Sequence, residues 1–349
     1  GHDVSVLNYY PTMPRKIPLW RGWGITEPNR IRGIKKRVLQ LFYLGRYKKH
    51  YDKFKNEHLK LTALCHTREE VSKLAEEFDA LIVGSDQVWN LEYHNDSVYY
   101  IAYPSDYTGR KISYAACCGR NTGEADGWVG NCLKQFDAIS VRDGFTADWV
   151  AAQTKSGDLK AEIVADPTLL YDFPELPKLE GQPERYIFVY MIGDGSDDFH
   201  NKAIALIKEK HGDMPVVFAM PTGYHIRLCD WADRTLWELD PYEWVNWLSN
   251  ASFVYTDSFH GVLFSLKHHR EFLAYYTEKI RAPRLLFLAD QMNLKNRIID
   301  ADSDKVSKAL ESPWLWSSID TDIGLLRNRS LQFLEDTLAE TVGENAGMQ

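Results

Sequence analysis

Four short stretches hold residue types able to act on a small anion or a sugar. The first is Asp257-Ser258-Phe259-His260-Gly261, which follows the apolar run Phe253–Tyr255. With Thr256 and Asp257 at a strand end, Ser258 is a good helix N-cap, and Phe259, His260 and Gly261 form the first helical turn. That turn presents backbone N–H groups and the positive end of the helix dipole, a natural seat for phosphate or carboxylate. His260 adds a donor, a charge or a proton there; the plainer alternative is a surface or capping histidine. The second stretch is Gly84-Ser85-Asp86-Gln87-Val88-Trp89-Asn90, after the run Asp79–Val83. Gly84 permits close backbone approach. Ser85, Asp86 and Gln87 bring a hydroxyl, a carboxylate and an amide into one turn, and Trp89 offers a stacking face. The set suits sugar hydroxyls or a general base, the alternative being a turn in which Asp86 caps a helix. The third is Ser140-Val141-Arg142-Asp143, where a guanidinium at a strand end can grip carboxylate or phosphate with two hydrogen bonds, or else pair with its neighbour Asp143. The fourth is the cationic trio Lys279, Arg281 and Arg284, shortly after Phe272–Tyr275. One of them completes a cationic pocket, or all three sit on a solvated loop.

Other chemistries lack their patterns. The chain has no G-x-x-x-x-G-K-[ST] loop, no G-x-G-x-x-G and no G-x-S-x-G elbow. His268-His269 has no carboxylate-rich neighbourhood, so no metal is expected.

The elements that must position these residues follow from periodicity. Strands are predicted at Asp3–Tyr9, Asp79–Val83, Lys111–Ala116, Ala138–Val141, Ile163–Ala165, Tyr186–Met191, Val216–Ala219, Phe253–Tyr255 and Phe272–Tyr275. Helices are predicted at Lys35–Lys55, Glu69–Phe78, Asn131–Phe136, Asp143–Ala152, Phe199–Lys210, Tyr242–Leu248, Gly261–Lys267 and Gly324–Glu340. Residues 173–185 hold three prolines, a glycine and many charges, the best linker in the chain. Repeated β-α-β on both sides of it means two parallel-sheet α/β domains with right-handed crossovers. The expected division is 1–175, 183–315 and a C-terminal helix and tail over 316–349. In open α/β sheets ligands sit at the carboxyl ends of strands, so the site is expected in the cleft between the domains.

Composition narrows the partners. The 349 residues are 44% hydrophobic and 26% charged, which implies packed globular structure. The net charge of −8 argues against wholesale nucleic-acid binding. One local exception is the very basic polar face of the Lys35–Lys55 helix, either a solvated face or a contact for an anionic acceptor or membrane surface. The five cysteines form no disulfide framework or C-x-x-C pair. No apolar run spans a membrane, and GHDVSVLNYYP has neither the basic region nor the apolar core of a signal peptide. The expectation is a cytoplasmic protein with reduced thiols, peripheral at the membrane at most.

Taken in order, VGSDQVWN, ISYAA, ISVRD, VADPTLL, the Pro241-x-x-Trp244 helix and TDSFHG resemble the polysaccharide pyruvyl transferase family over roughly residues 1–300. The resemblance implies a GT-B-like architecture of two Rossmann-like domains facing across a cleft. It also implies a reaction that moves the enolpyruvyl unit of phosphoenolpyruvate (PEP) onto two hydroxyls of one sugar, giving a cyclic pyruvate ketal and phosphate, with PEP as co-substrate and no cofactor. By the same resemblance His260 acts at the PEP phosphate or as acid catalyst, and Arg142 binds the PEP carboxylate or phosphate. Arg281, with Lys279 and Arg284 as rivals, supplies a further cation, Ser258 and Gly261 line the donor seat, and Asp86 faces the acceptor with Ser85, Gln87 and Trp89. The acceptor is a glycan or lipid-linked saccharide. Arg270 stands where many members carry the lysine of N-K-P-F. Family chains usually open with a strand and an N-Y-G-A-x-L-Q-type helix before a G-H-x-V strand, so a first β-α unit ahead of GHDVSVLNYY is expected to be missing. The readings to be separated from pyruvyl transfer are nucleotide-sugar glycosyl transfer on the same fold and glycan binding without turnover.

Overall fold

The structure, a computed structural model, describes residues 1–11, 30–92, 96–102, 106–119, 127–155, 159–174, 176–193, 195–221, 226–277 and 282–345. The C-terminal domain is built on strands β7 (Ile187–Tyr190), β8 (Val216–Ala219), β9 (Arg234–Leu236), β10 (Phe253–Thr256), β11 (Phe272–Tyr276) and β12 (Ile298–Asp300). They form one sheet in the order β12-β11-β10-β7-β8-β9, every neighbouring pair parallel. The chain winds outward from β7 to β9, then returns to the centre at β10 and winds the other way. That reversal puts the switch point between β7 and β10, with β10 leading directly into Asp257 and Ser258. Both faces of this sheet are covered. Phe188 and Val254 pack into one cluster, while their neighbours Ile187, Val189, Phe253 and Tyr255 pack into another. Burial on two sides explains why these strands read as unbroken apolar runs.

The N-terminal domain carries β3 (Ala80–Val83), β4 (Arg110–Ala116), β5 (Ala138–Val141) and β6 (Glu162–Ile163) in a parallel sheet of that order. A separate parallel pair, β1 (Val6–Tyr9) and β2 (Leu61–Cys65), is joined through helix α1 (Arg30–His58). No strand among the described residues bridges β1 and β3. Helix α2 (Arg68–Ala75) starts in a capping box in which the Thr67 hydroxyl accepts from Glu70 N–H and the Glu70 carboxylate accepts from Thr67 N–H. Helices α3 (Gly127–Leu133) and α4 (Gly144–Thr154) follow β4 and β5, and the short α5 (Pro167–Leu170) follows β6. Asp143 caps α4 as expected, accepting from both the N–H and the hydroxyl of Thr146.

The C-terminal domain adds α6 (Asp197–His211), α7 (Pro241–Ser249), α8 (Phe259–Lys267), α9 (Pro283–Gln291) and α10 (Ser303–Glu311). The last helix, α11 (Trp316–Asn345), runs back to the N-terminal domain. Ile319 near its start belongs to the C-terminal core, whereas Phe333, Leu334 and Leu338 pack with Ile112 and Tyr114 of β4. Ser330 Oγ accepts from Ala165 N–H at 2.7 Å, just ahead of Asp166. The proline-rich stretch before β7 has no helix or strand in its described part. β2, β9, β12, α9 and α10 are not among the predicted elements. β9 is three residues long with two of them polar, and β2 is largely solvated, so neither carries a clear apolar period.

Candidate active site

The strand-end motifs of the two domains meet. On the C-terminal side, the Ser258 hydroxyl caps α8 by accepting from Gly261 N–H at 3.3 Å, and Ser258 N–H itself donates to Thr256 Oγ1 at 3.0 Å. Phe259 and His260 are then the first-turn residues whose N–H groups have no backbone partner among the described residues. Gly261 has a packing reason to be glycine: a Cβ there would lie 2.4 Å from Thr256 Oγ1. The His260 side chain is about a third exposed, at 34%.

On the N-terminal side, the turn after β3 is pinned to the exit of β4. Gly84 takes a positive φ of 145°, and a Cβ there would collide with the Tyr114 carbonyl. Asp86 follows in the left-handed region at φ 58°, and its carbonyl accepts from Cys117 N–H. This twist sends the Asp86 side chain to Arg142, which leaves the end of β5. Arg142 Nη2 donates to Asp86 Oδ1 at 2.8 Å and Nη1 to Asp166 Oδ2 at 2.9 Å. Its guanidinium lies over the Phe259 ring at 4.5 Å, so the first turn of α8 covers it from the opposite domain.

Two more contacts complete a run of alternating charge. His260 Nε2 lies 3.6 Å from Asp166 Oδ2, and Arg284 Nη1 lies 3.5 Å from Asp86 Oδ1. With the Gln87 amide turned so that its oxygen faces the guanidinium, it accepts from both Arg284 Nη atoms at 3.2 Å. The order through space is His260, Asp166, Arg142, Asp86, Arg284, drawn from α8, the β6 exit, the β5 exit, the β3 exit and α9.

The electrostatics follow from burial and partners. Burial alone raises the Asp166 pKa, but the hydrogen bond and charge of His260, with the charge of Arg142, outweigh it and hold the carboxyl well below the usual range. Asp86 shows the same opposition: desolvation raises its pKa, and Arg142 first, then His260 and Arg284, pull it below the ordinary value. Both carboxylates are therefore charged at neutral pH. Arg142 is 1% exposed and stays cationic, because nearby charges, Asp166 and Asp86 among them, overcome its desolvation.

Most expected site residues lie at this seam, with differences. Trp89 does not offer a stacking face. It is fully buried, donates its indole N–H to the Tyr99 carbonyl at 3.0 Å and stacks in the core with Tyr100. Ser258 is buried and occupied with capping. Ser85 and Gln87 are partly buried in the turn that carries Asp86. Of the cationic trio, Arg284 reaches the site, while Lys279 and Arg281 lie outside the described residues. Asp166 is the residue that motif reading passed over. Its signal was present: an acid at a strand end ahead of Pro167, where its other oxygen caps α5 by accepting from Thr168 N–H. As for metals, His50, Asp240 and Glu243 bring one ligand atom each within 4.8 Å of one another. The two carboxylates already form the capping box of α7, and His50 lies 3.5 Å from Glu243, which sets α1 against the start of α7.

Residues 11–278 match the family profile described as polysaccharide pyruvyl transferase. No curated protein sequence matches the chain. Among solved structures, one named for a UDP-N-acetylglucosamine 2-epimerase of Listeria monocytogenes aligns with a TM-score of 0.52 at 13% identity, covering 97% of this chain and 98% of that one. A second UDP-N-acetylglucosamine 2-epimerase aligns with a TM-score of 0.52 at 14% identity, over 87% and 93% of the two chains. At such identities the likeness shows the fold alone, an α/β architecture of parallel sheets in the GT-B manner. With the match spanning most of its length, the chain belongs to the polysaccharide pyruvyl transferase family.

Proposed function

We propose that the protein transfers the enolpyruvyl unit of PEP onto two hydroxyls of one glycan sugar, closing a cyclic pyruvate ketal and releasing phosphate. The observation that carries this reading is the convergence of His260 and Arg284 from one domain with Asp86, Arg142 and Asp166 from the other, in a chain of this family. PEP is a compact polyanion and needs several cationic donors on one side. Arg284, the imidazole of His260 and the first-turn N–H groups of α8 supply them, with Lys279 and Arg281 as further cations. Arg142 holds Asp86 and Asp166, so direct contact between Arg142 and the donor requires Asp86 to turn away. Arg142 is accordingly assigned to positioning these two carboxylates.

In the proposed sequence, a proton adds to the PEP methylene and makes it the methyl group of an oxocarbenium-like centre. His260 is the acid, with Asp166 behind it at 3.6 Å. The first sugar hydroxyl attacks that carbon and gives its proton to Asp86. A carboxylate held by two arginines is a weak base; an incoming anion that engages Arg284 loosens that hold and makes Asp86 more basic. The C–O bond to phosphate then breaks, the second hydroxyl closes the ketal, and of the two hydroxyl protons one restores the acid and the other leaves on phosphate. The acceptor is a free or lipid-linked glycan, used on the cytoplasmic face of the membrane.

The test is to incubate the full chain with PEP and nitrophenyl or lipid-linked glycosides. The expected result is phosphate release with a mass gain equal to pyruvate less water. A second reading is compatible with the same fold, glycosyl transfer from a nucleotide sugar. A nucleoside diphosphate that raises the melting temperature where PEP does not would decide for it. A glycan that binds without turnover of either donor would decide for a non-catalytic protein.

A further inference from the structure

Helix α1 has two faces of different kind. One is fixed to the C-terminal domain. Leu39 and Tyr43 pack against the core beside β8, and Tyr43 stacks on Trp237 at 4.4 Å. Arg46 pairs with Glu238 at 2.8 Å, His50 lies 3.5 Å from Glu243, and Phe54 meets the Tyr242 ring at 5.6 Å. These positions recur at three- and four-residue steps and define one side of the helix.

A neighbouring side, about 120° round the helix, carries an apolar stripe whose Phe42 edge touches Tyr43 and Arg46. Ile34, Val38 and Phe42 recur at four-residue steps and are 64%, 62% and 57% exposed. Helical spacing continues that side to Lys49 and flanks it with Lys35 and Lys53. From Arg30 to Tyr51 the chain holds eight lysines and arginines and no acidic residue, in a protein whose net charge is −8. Three large apolar side chains in a row, ringed by cations and presented on a helix already anchored by its other face, match what an anionic lipid surface needs: shallow burial of the apolar side chains and attraction to headgroups. No helix of the described residues is long and apolar enough to cross a membrane, so this is contact in the plane of the interface.

We propose that the Ile34–Val38–Phe42 face of α1 docks the protein on anionic lipid bilayers, with Lys35, Lys49 and Lys53 against the headgroups. Because α1 also bears on Trp237, Glu238 and Tyr242 of the C-terminal domain, the docked helix holds that domain at the bilayer. The inference does not depend on which donor the site uses.

The test is cosedimentation of the full chain with vesicles of equal parts dioleoylphosphatidylglycerol and dioleoylphosphatidylcholine, against vesicles of the latter alone. Binding is expected to the anionic vesicles, to weaken as salt rises, and to be at least about tenfold poorer on the neutral ones. Val38→Glu with Phe42→Glu should reduce partitioning about tenfold or more, and Lys35→Glu with Lys49→Glu should do the same by a separate route. Both pairs should keep the parent melting temperature and the parent turnover of a water-soluble acceptor. Absence of binding to anionic vesicles, or equal binding by either pair of variants, overturns the proposal. So does a dimer in sedimentation velocity that Phe42→Glu dissociates, since the stripe would then be an interface between two copies of the chain.

Discussion

Replacing Asp166 by Asn keeps the side chain's shape and removes one charge from the centre of the seam. In the parent, Asp166 Oδ2 accepts from Arg142 at 2.9 Å and lies 3.6 Å from His260, while Oδ1 accepts from Thr168 N–H. Removing one partner of a buried ion pair costs about 3–5 kcal/mol, because the charge left behind cannot be solvated. Arg142 is 1% exposed, but it retains Asp86 at 2.8 Å, and Asp86 is 55% exposed and partly screened. The remaining carboxylate places the variant at the low end, about 3 kcal/mol. For a domain of this size each kcal/mol lowers the melting temperature by about 2–4 °C, so a drop of about 6–12 °C is expected. The pH dependence follows from the depressed pKa of Asp166 in the folded state. Such a group contributes stability above its unfolded pKa, and the contribution disappears as pH falls through its folded value. The difference between parent and variant should thus be full at neutral pH and shrink in strong acid. Scanning calorimetry at pH 7 and down an acid series measures both, with phosphate release from PEP followed in parallel. A variant that melts within about 2 °C of the parent at neutral pH, or a gap that widens in acid, would refute the reasoning.

Three further outcomes are expected. His260→Ala should abolish phosphate release from PEP and acceptor while leaving calorimetric unfolding near that of the parent, since the side chain is a third exposed and its neighbour Asp166 keeps Arg142. Arg284→Ala removes a cation about a quarter exposed whose protein contacts are loose, so steady-state kinetics should show KM for PEP raised about tenfold or more with a smaller change in kcat. Ser330→Ala leaves the buried Ala165 N–H without an acceptor at a cost of about 1–3 kcal/mol, read as a lower melting temperature. The adjacent Asp166 should shift with it, so kcat/KM falls too, and Ser330→Thr should restore both.

Much of the positioning was legible in the sequence because it is local. Ser258 and Asp143 cap helices where their neighbours say they should, since capping needs only a short polar side chain and the next turn of backbone. Arg142 and Asp86 stood out because polar residues directly after buried parallel strands have little structural reason to be there. Trp89 misled for the converse reason: an aromatic beside polar turn residues is equally ready to stack on a sugar or to fill the core, and only the positions of Tyr99 and Tyr100 decide.

The sequence by itself determined the α/β class and the strand-end motifs, because each rests on periodicity or on a few adjacent residues. Tertiary structure decided which of those residues meet. Arg142 is 56 residues from Asp86, 24 from Asp166 and more than a hundred from Phe259 and Arg284, and no periodicity reports separations of that kind. It also encloses Arg142 between two carboxylates and an aromatic ring, the surroundings on which the positioning role proposed for it rests. The final piece comes from helix α11, whose Ser330 supports the β6 exit from 165 residues away in the chain.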